Sequence, residues 1–350
     1  MQLDTPLSIL LAFVLAAAPS VLLCRVVMSM KIMDAPTEAR KIQPRAIPTS
    51  GGLAVAVSTF LAAVAVSELT DWTLDATVLV VGGASFIALL VGLADDVLTL
   101  RALVRLMLTI AIALGMTIFG PHAETLVLWP GVSLPLPLVL GVAGSAFWLV
   151  VIINAVNFMD GANGLAMGMA AVAAAGLAIC GAIVGAWDIA LLSGALAGAL
   201  AGFLVWNVRG KLFVGDAGAY FAGAMLGGLA LELVRVRPDL LFVPPMLLLP
   251  FLSDVLLTLA WRTKHGKALF VSHRDHAYQI AMKAGLKHWQ VSVVHAVFAL
   301  NALVLAVVAT MLGGYAPPIA FVALLLVSTW VHWRVRRSGV ANGLVGADIA

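Results

Sequence analysis

Four acidic residues stand at or near the ends of long apolar stretches, where a carboxylate is costly to remove from water and is rarely needed for packing. They are Asp95, Asp96, Asp160 and Asp216. The adjacent Asp95 and Asp96 repel each other, and a nearby cation or metal ion would relieve that repulsion. Because magnesium favours oxygen ligands and accompanies phosphate chemistry, the pair suggests a metal-assisted reaction on phosphate. The alternative for the pair alone is a solvated end of a membrane span.

A second group recurs at intervals of three residues: Asn154, Asn157, Asp160 and Asn163. Residues three apart share a face of a helix, so this spacing predicts four oxygen-bearing side chains in one row. The alternative, that Asn157 or Asp160 caps the next helix, accounts for one such residue but not for four.

The third group, Lys211 and Asp216, opens another apolar segment. The start of a helix carries unpaired N–H groups and a partial positive charge, which suits phosphate. Asp216 would hold a metal ion beside that phosphate. The competing interpretation is that Asp216 is an ordinary helix cap flanked by glycine.

The fourth group lies in the longest basic loop and contains His273, Arg274 and His276. Arginine with histidine can grip a pyrophosphate, the arginine through a two-pronged hydrogen bond. A zinc site is less favoured, since the spacing supplies few ligands. A basic amphipathic helix on anionic lipid is the alternative. Asp254, at the end of the preceding apolar segment, is either buried and paired or close to the site.

Composition identifies the elements that position these residues. Hydrophobic residues make up 63% of the 350 residues and charged residues only 11%, against about 25% charged in soluble domains. The chain is therefore expected to form one integral membrane domain over residues 1–350, embedded in the bilayer and without a nucleic-acid partner. The two cysteines, without a CxxC spacing, suggest neither a disulfide framework nor a zinc site.

A spanning helix needs about 20 apolar residues. Eleven segments qualify, which predicts an all-α bundle of about eleven transmembrane helices: 3–27, 47–67, 76–94, 102–119, 135–153, 164–185, 187–206, 217–234, 240–261, 291–312 and 316–333. With the N-terminus outside, eighteen of the twenty Lys and Arg residues face the cytoplasm, as the positive-inside rule requires. Every loop that carries one of the four groups then lies on the cytoplasmic face.

Five motifs occur in order on that face: PTSGGLA (48–54), GLADD (92–96), NAVNFMDGANGLA (154–166), FVGDAGA (213–219) and HRDHAYQ (273–279). Together they resemble the polyprenyl-phosphate N-acetylhexosamine-1-phosphate transferases, the glycosyltransferase family 4 type. The resemblance implies a magnesium-dependent enzyme, with manganese as the alternative ion, in a bacterial inner membrane. It would transfer a sugar 1-phosphate from a UDP-N-acetylhexosamine to undecaprenyl phosphate, releasing UMP, as the first membrane step of surface polysaccharide or O-antigen synthesis.

The same resemblance implies roles for the residues already noted. Asp216 and Asp160 would be metal ligands, Asp95 a base or an orienting group for the lipid phosphate, and Asp96 its partner. The substrate-binding set implied in this way is Asn154, Asn157, Asn163, Arg105, Lys211, His273, Arg274 and His276.

Three positions depart from the usual family pattern: Asn163 in place of a second Asp, Ala219 in place of Ser, and a loop with fewer histidines. The Asn163 departure puts a metal-ligand role there in doubt. The loop favours the surface-polysaccharide branch over the phospho-N-acetylmuramoyl-pentapeptide transferases of peptidoglycan synthesis, which stay a second hypothesis. A transporter or lipid flippase and a catalytically silent lipid-binding relative are the remaining hypotheses. A homodimer is left open.

Overall fold

The computed structural model of this protein describes residues 5–30, 33–34, 47–70, 74–268 and 273–345. That part of the chain forms a bundle of α-helices with two small antiparallel β-hairpins. Eleven of its helices are long and apolar enough to cross a membrane. The predicted fold class, an all-α polytopic membrane bundle, is therefore confirmed.

The helices, in chain order, are α1 Thr5–Ser29, α2 Gly51–Thr70, α3 Ala76–Leu98, α4 Ala102–Phe119, α5 Leu138–Phe158, α6 Leu165–Ile183, α7 Trp187–Asn207, α8 Gly215–Val236, α9 Val243–Lys264, α10 Ala277–Lys283, α11 His288–Leu312 and α12 Ala316–Ala341. One hairpin pairs β1 (Met33–Asp34) with β2 (Ile47–Pro48), and the other pairs β3 (Thr125–Trp129) with β4 (Val132–Pro135). Of these helices, α10 alone is too short to span a bilayer of about 30 Å.

Helix α8 lies at the centre of the bundle, since its whole apolar stretch is buried and it packs against α2, α3 and α5. Helices in a membrane associate through close van der Waals packing, which small residues at the contact permit. A Cβ atom added at Gly52 would lie 2.3 Å from the Cα atom of Gly218. The start of α2 is therefore held directly against the first turns of α8.

The structure corrects the limits of several predicted spans, and two of these corrections bear on the candidate site. The span predicted over 47–67 begins at Gly51, because Ile47–Pro48 is extended and pairs with β1. The span predicted over 76–94 continues to Leu98, so Asp95 and Asp96 lie within the last turns of α3 rather than after it. Because the two carboxylates belong to adjacent residues of a helix, they point in different directions.

The predicted row of four polar residues is wrong. Helix α5 ends at Phe158, so Asn154 and Asn157 are helical while Asp160 and Asn163 belong to the following turn. That turn leads to Gly164, the residue before α6. Gly164 has a φ of +78°, a conformation that glycine adopts without strain. A break between two helices replaces the continuous helix that the spacing suggested.

Candidate active site

The acidic residues of three motifs meet where α3 and α5 end and α8 begins. Helix α3 supplies Asp95 and Asp96, the end of α5 supplies Asn157 and the turn after it Asp160, and the first turn of α8 supplies Asp216. These ends converge because α8 packs against both α3 and α5. Residues separated by more than one hundred positions therefore share one site.

Asp216 is held from two sides. The Asn157 side-chain amide donates a hydrogen bond of 2.6 Å to Asp216 Oδ1. The carboxyl group of Asp95 also lies within hydrogen-bonding reach of Asp216. Asn157 therefore contacts Asp216 directly, and the Asp216 carboxylate keeps a defined orientation.

Asp96 caps helix α8 from a neighbouring helix. Its Oδ1 accepts the backbone N–H of Asp216 at 2.9 Å, and its Oδ2 accepts that of Ala217 at 3.2 Å. A carboxylate at this end is favoured by the unpaired N–H groups and by the helix dipole. The alternative in which Asp216 itself caps the helix is wrong, since Asp96 performs that role.

The backbone at Gly215 explains how Asp96 can approach so closely. Gly215 has a φ of +74°, and a Cβ atom there would lie 2.5 Å from Asp96 Oδ2 and 2.7 Å from Thr49 Oγ1. Only glycine combines that conformation with that lack of bulk. The motif glycine thus lets α3 cap α8.

Asp95 is engaged differently. It is 4% exposed, and its Oδ2 accepts a charged hydrogen bond of 3.0 Å from Arg105 Nη1 on α4. Its Oδ1 accepts the backbone N–H of Leu100 at 2.8 Å. Asp95 therefore orients Arg105, whose guanidinium remains partly exposed at the site. The role predicted for Asp95, as a base or as an orienting group for the lipid phosphate, stays a prediction.

The PTSGG segment borders the same site. The N–H groups of Gly51 and Gly52 donate to the carbonyls of Phe213 and Val214 at 3.0 and 2.9 Å. Ser50 is completely buried with a φ of +89°, and its hydroxyl has no hydrogen-bond partner among the residues that the structure describes. Such a conformation is uncommon for a residue with a side chain and occurs often at functional sites.

The turn residue Asp160 has an unusual pKa. Removal of its carboxyl group from water, and then the negative charge of Asp96, raise the pKa of Asp160 to about 7. Both causes oppose ionisation. A cation placed beside Asp160 would reverse that effect, because it favours the ionised carboxylate.

The donor set fits a magnesium ion shared with substrate. No three acidic, histidine or cysteine side chains in the described ranges converge into a ready-made metal cage. Magnesium usually uses one or two carboxylates together with substrate phosphates and waters. Asp216 and Asp160 are the carboxylates that could take this part, since each lies near Asp96, whereas Asp95 binds Arg105 and Asp96 caps α8.

The HRDHAYQ loop folds onto α9 and α12 and is not a separate amphipathic helix on the lipid surface. Asp254 of α9 caps α10, accepting the backbone N–H groups of Ala277 and Tyr278 at 2.8 and 3.1 Å. Arg262 of α9 forms an ion pair with Asp275, and both side chains are completely buried. Of the two interpretations of Asp254, the structure confirms that it is buried and paired.

Burial affects the charge of the loop. Burial, followed by the electrostatic effects of His276 and Arg262, lowers the pKa of His273 to about 4. His273 is therefore neutral near pH 7, and its predicted contact with a diphosphate stays a prediction. The Nδ1 atom of His276 lies 3.2 Å from Asp254 Oδ1. Arg274 is left as the permanent cation of the motif.

Tyr278 connects the loop to the acidic cluster. Its hydroxyl donates a hydrogen bond of 3.2 Å to the carbonyl of Phe158, at the end of α5. The rings of His276 and Phe158 lie 6.2 Å apart. The loop and the turn that carries Asp160 are consequently neighbours.

Three predicted substrate-binding residues have other contacts. The Asn154 amide donates to the carbonyl of Val150 in its own helix at 2.8 Å. The carbonyl of Asn163 accepts from Ser292 of α11 at 2.7 Å, which draws this residue toward α11. Lys211 is exposed, with its Nζ atom 5.9 Å from the centre of the Trp206 ring. These contacts give each of the three residues a structural role, and none of these contacts joins the residue to Asp216.

Several residues that support the site could not be recognised from the sequence. Asn207 is buried and joins two site loops, donating to the carbonyl of Leu212 and accepting the N–H of Gly164. Arg262 and Arg336 hold the HRDHAYQ loop. Each of these residues has a partner outside its own helix, so only the fold reveals its role.

Similar proteins support one chemistry for this arrangement. Glycosyl transferase family 4 matches residues 78–234, a range that contains all four acidic residues. A probable undecaprenyl-phosphate N-acetylglucosaminyl 1-phosphate transferase of Bacillus subtilis (strain 168) is 25% identical over 297 residues, covering 80% of this chain and 79% of that protein. A phospho-N-acetylmuramoyl-pentapeptide-transferase of Halalkalibacterium halodurans is 26% identical over 268 residues, covering 70% and 78%. A decaprenyl-phosphate N-acetylglucosaminephosphotransferase of Mycolicibacterium smegmatis is 29% identical over 289 residues, covering 71% and 68%.

Proposed function

Because this chain belongs to glycosyl transferase family 4, we propose that it transfers N-acetylhexosamine 1-phosphate from a UDP-sugar to undecaprenyl phosphate. It is a polyprenyl-phosphate sugar-phosphate transferase of this family and a multi-pass membrane protein. The finer assignments, which are the UDP donor, the undecaprenyl acceptor, the bacterial inner membrane and the metal ion, are parts of the proposal.

The observation that carries the proposal is the setting of Asp216. This carboxylate sits on the first turn of α8, is oriented by Asn157, and stands beside the acids Asp95 and Asp96. A diphosphate entering such a site meets negative charge, which is unfavourable without a cation. A metal ion shared between protein and substrate, as magnesium is in phosphoryl transfer, would offset the repulsion between these acids and the diphosphate.

The bond changes of the proposed reaction are simple. An oxygen of the lipid phosphate forms a bond to the phosphorus that bears the sugar. The bond from that phosphorus to the oxygen bridging the two phosphates breaks, and UMP leaves with the electron pair. A phosphate monoester has a second pKa of about 6, so it is already largely ionised near neutral pH. No strong general base is required.

The protein's own contribution is to place these anions and neutralise them. Arg105, oriented by Asp95, and Arg274 of the HRDHAYQ loop supply fixed positive charges. Asp96 holds the first turn of α8, and with it Asp216, in one position. Such positioning, rather than proton transfer, accounts for most catalysis between anions. When bound at Asp216 and Asp160, magnesium would neutralise negative charge on the diphosphate.

Surface-polysaccharide synthesis is the proposed pathway, and peptidoglycan synthesis is the second candidate. The second is favoured by the similarity to a phospho-N-acetylmuramoyl-pentapeptide-transferase over 70% of this chain. The first is supported by the similarity to a probable N-acetylglucosaminyl 1-phosphate transferase over 80% of the chain and by the loop sequence. Donor selection depends on pocket shape, so it must be measured.

A transporter is less well supported. Transporters place their ion-binding acids near the middle of the membrane, commonly at broken helices. Here Asp95 and Asp96 lie in the last turns of α3, and Asp216 in the first turn of α8. Acids at the ends of spanning helices suit a reaction at the membrane surface, where a soluble nucleotide meets a lipid phosphate.

The deciding assay uses the purified full-length protein in detergent with undecaprenyl phosphate and magnesium. UDP-N-acetylglucosamine, other UDP-N-acetylhexosamines and UDP-N-acetylmuramoyl-pentapeptide are offered separately, and UMP and lipid-linked sugar are measured with and without EDTA. We expect magnesium-dependent UMP release matched by lipid product with an N-acetylhexosamine donor and no release by Asp216→Asn. Turnover with the pentapeptide donor alone would establish the second candidate. No turnover with any donor would refute the transferase proposal.

A further inference from the structure

We propose that Arg336, near the end of α12, is a positioning residue that holds the loop His273–His276 in the geometry needed for the donor diphosphate. This inference rests on the proposed function. Arg336 lies outside the residues 78–234 matched by the family and belongs to a helix that supplies none of the acidic residues. Its role follows from its contacts.

Arg336 binds the backbone of the loop directly. Its Nη2 atom donates a hydrogen bond of 2.5 Å to the carbonyl of Asp275, which stands between Arg274 and His276. The Asp275 side chain is occupied by Arg262 of α9. The loop is consequently fastened at one residue from two helices, through its side chain to α9 and through its backbone to α12.

The same nitrogen supports the loop by a second route. Arg336 Nη2 donates to Thr258 Oγ1 at 2.8 Å, and the Thr258 hydroxyl donates to Asp254 Oδ1 at 3.2 Å. Asp254 in turn caps α10 and contacts the His276 ring. One guanidinium thus stabilises both ends of the short segment that carries His276.

The guanidinium is held in place by packing. It stacks over the Trp261 ring, with 4.7 Å between its central carbon and the ring centre, and the residue is only 5% exposed. A lysine could not reproduce both the flat stacking and the hydrogen bonds, because its ammonium is a compact charge on a flexible stem. The planar side chain therefore fixes the distance between α12 and the loop.

This arrangement is not one that stability alone would favour. The Nε and Nη1 atoms of Arg336 are buried and have no hydrogen-bond partner within the described ranges. Burying unsatisfied donors of a charged group is costly, and an apolar residue at such a place is often as stabilising or more so. Holding one loop geometry gives a reason to keep an arginine there.

Neighbouring arginines of the same helix provide a contrast. Arg334 and Arg337 are exposed, and their guanidiniums lie over the rings of Trp330 and Trp333, at 5.7 and 5.3 Å. Paired with aromatic rings and open to solvent, they touch neither the loop nor α9 through these contacts. Arg337 is therefore a matched control for Arg336, with the same chemistry one residue away.

The test compares Arg336→Lys and Arg336→Met with Arg337→Lys and Arg337→Met in the full-length protein. Three quantities are measured: the KM values for the UDP-sugar and for undecaprenyl phosphate, amide hydrogen exchange of residues 273–283, and the thermal unfolding temperature. We expect both Arg336 variants to lower kcat/KM for the UDP-sugar by about tenfold or more, with the KM for the lipid unchanged. Exchange should accelerate in residues 273–283 only, and the Arg337 variants should behave as the unaltered protein.

Two results would overturn the inference. In the first, the Arg336 variants match the Arg337 variants in donor kinetics and in loop exchange. In the second, exchange rises throughout the bundle and both KM values change together with the unfolding temperature, which would make Arg336 a general packing residue. If the unaltered protein transferred no sugar, the proposed function would fail. The exchange comparison needs no turnover and would still decide whether Arg336 holds the loop.

Discussion

Replacing Asp96 by Asn should loosen the start of α8, because Asp96 accepts two backbone N–H groups there, at 2.9 and 3.2 Å. An asparagine keeps one oxygen acceptor and turns an NH₂ group toward the other N–H. The change thus removes one charge-assisted hydrogen bond, a loss of about 1.5–3 kcal/mol. Asp96 is partly exposed, so solvent screening favours the lower part of that range, about 1.5–2 kcal/mol.

That loss of free energy predicts faster amide hydrogen exchange at the start of α8. A change of about 1.4 kcal/mol is a tenfold change in an equilibrium constant, so the amides of Asp216 and Ala217 should exchange roughly 10- to 30-fold faster. Hydrogen-exchange mass spectrometry on a peptide covering the start of α8 measures this directly. Turnover should fall in the same variant, since Asp216 loses its fixed position.

The matched control for Asp96→Asn is Asp239→Asn. Asp239 also accepts two charged hydrogen bonds, but they come from the exposed side chain of Arg237, at 2.7 and 2.9 Å. Exposed ion pairs contribute about 0–1 kcal/mol, so the start of α8 should be unchanged in this variant. If the α8 amides of Asp96→Asn exchanged within about threefold of the unaltered protein, less than 1 kcal/mol would be lost, and the capping argument would be refuted.

Three further predictions follow from single contacts. Asn157→Ala removes the 2.6 Å hydrogen bond to the carboxylate at the start of α8 and should lower kcat about 10- to 100-fold, whereas Asn154→Ala, which loses a bond only within its own helix, should retain near-normal turnover. Gly52→Ala places a Cβ atom 2.3 Å from the backbone of α8 and should destabilise the bundle by about 1–3 kcal/mol in thermal unfolding; Gly83→Ala, with open space around its Cβ, should not, and equal stabilities would contradict the close contact. The pKa of His273 is lowered to about 4, so between the ordinary value near 6.5 and 4 the unfolded chain binds more protons and stability falls as the pH falls. His273→Gln should flatten that decline between pH 6.5 and 4.5, and identical pH profiles would show that His273 titrates normally.

Asp96 and Asp254 stabilise helices to which they do not belong. Asp96 of α3 caps α8, and Asp254 of α9 caps α10. In each case the capped helix carries residues proposed to touch substrate, Asp216 in the first and His276 at the start of the second. Capping from another helix joins the position of the site to the packing of the bundle.

Much of the fold could be predicted from the sequence because the bilayer imposes a simple rule. Backbone polar groups cannot stay unpaired in lipid, so each apolar stretch of sufficient length becomes a helix. All eleven predicted spans have a helix in the structure, and their errors lie at the ends, as at Gly51 and Leu98. The ends depend on caps and turns that hydropathy does not report.

The candidate site was predicted in part. Residue type and position at the ends of apolar stretches identified Asp95, Asp96, Asp160 and Asp216 as candidate site residues on one membrane face, and the structure places them where α3 and α5 end and α8 begins. The predicted row of polar residues through Asn163 is wrong, because the three-residue spacing assumed a continuous helix, whereas α5 ends at Phe158. Periodicity predicts a shared face only while the helix continues.

The sequence by itself determined the class of the protein, its helices and the residue types at the site, since hydrophobicity and charge act through each residue separately. The tertiary structure decided the contacts of three of these acids: Asp95 binds Arg105, Asp96 caps α8 and Asp216 accepts a hydrogen bond from Asn157. It also brought in Arg262 and Arg336, which both hold Asp275 from outside the loop. A hydrogen bond depends on distances of about 3 Å between atoms, and only the packing of helices sets those distances.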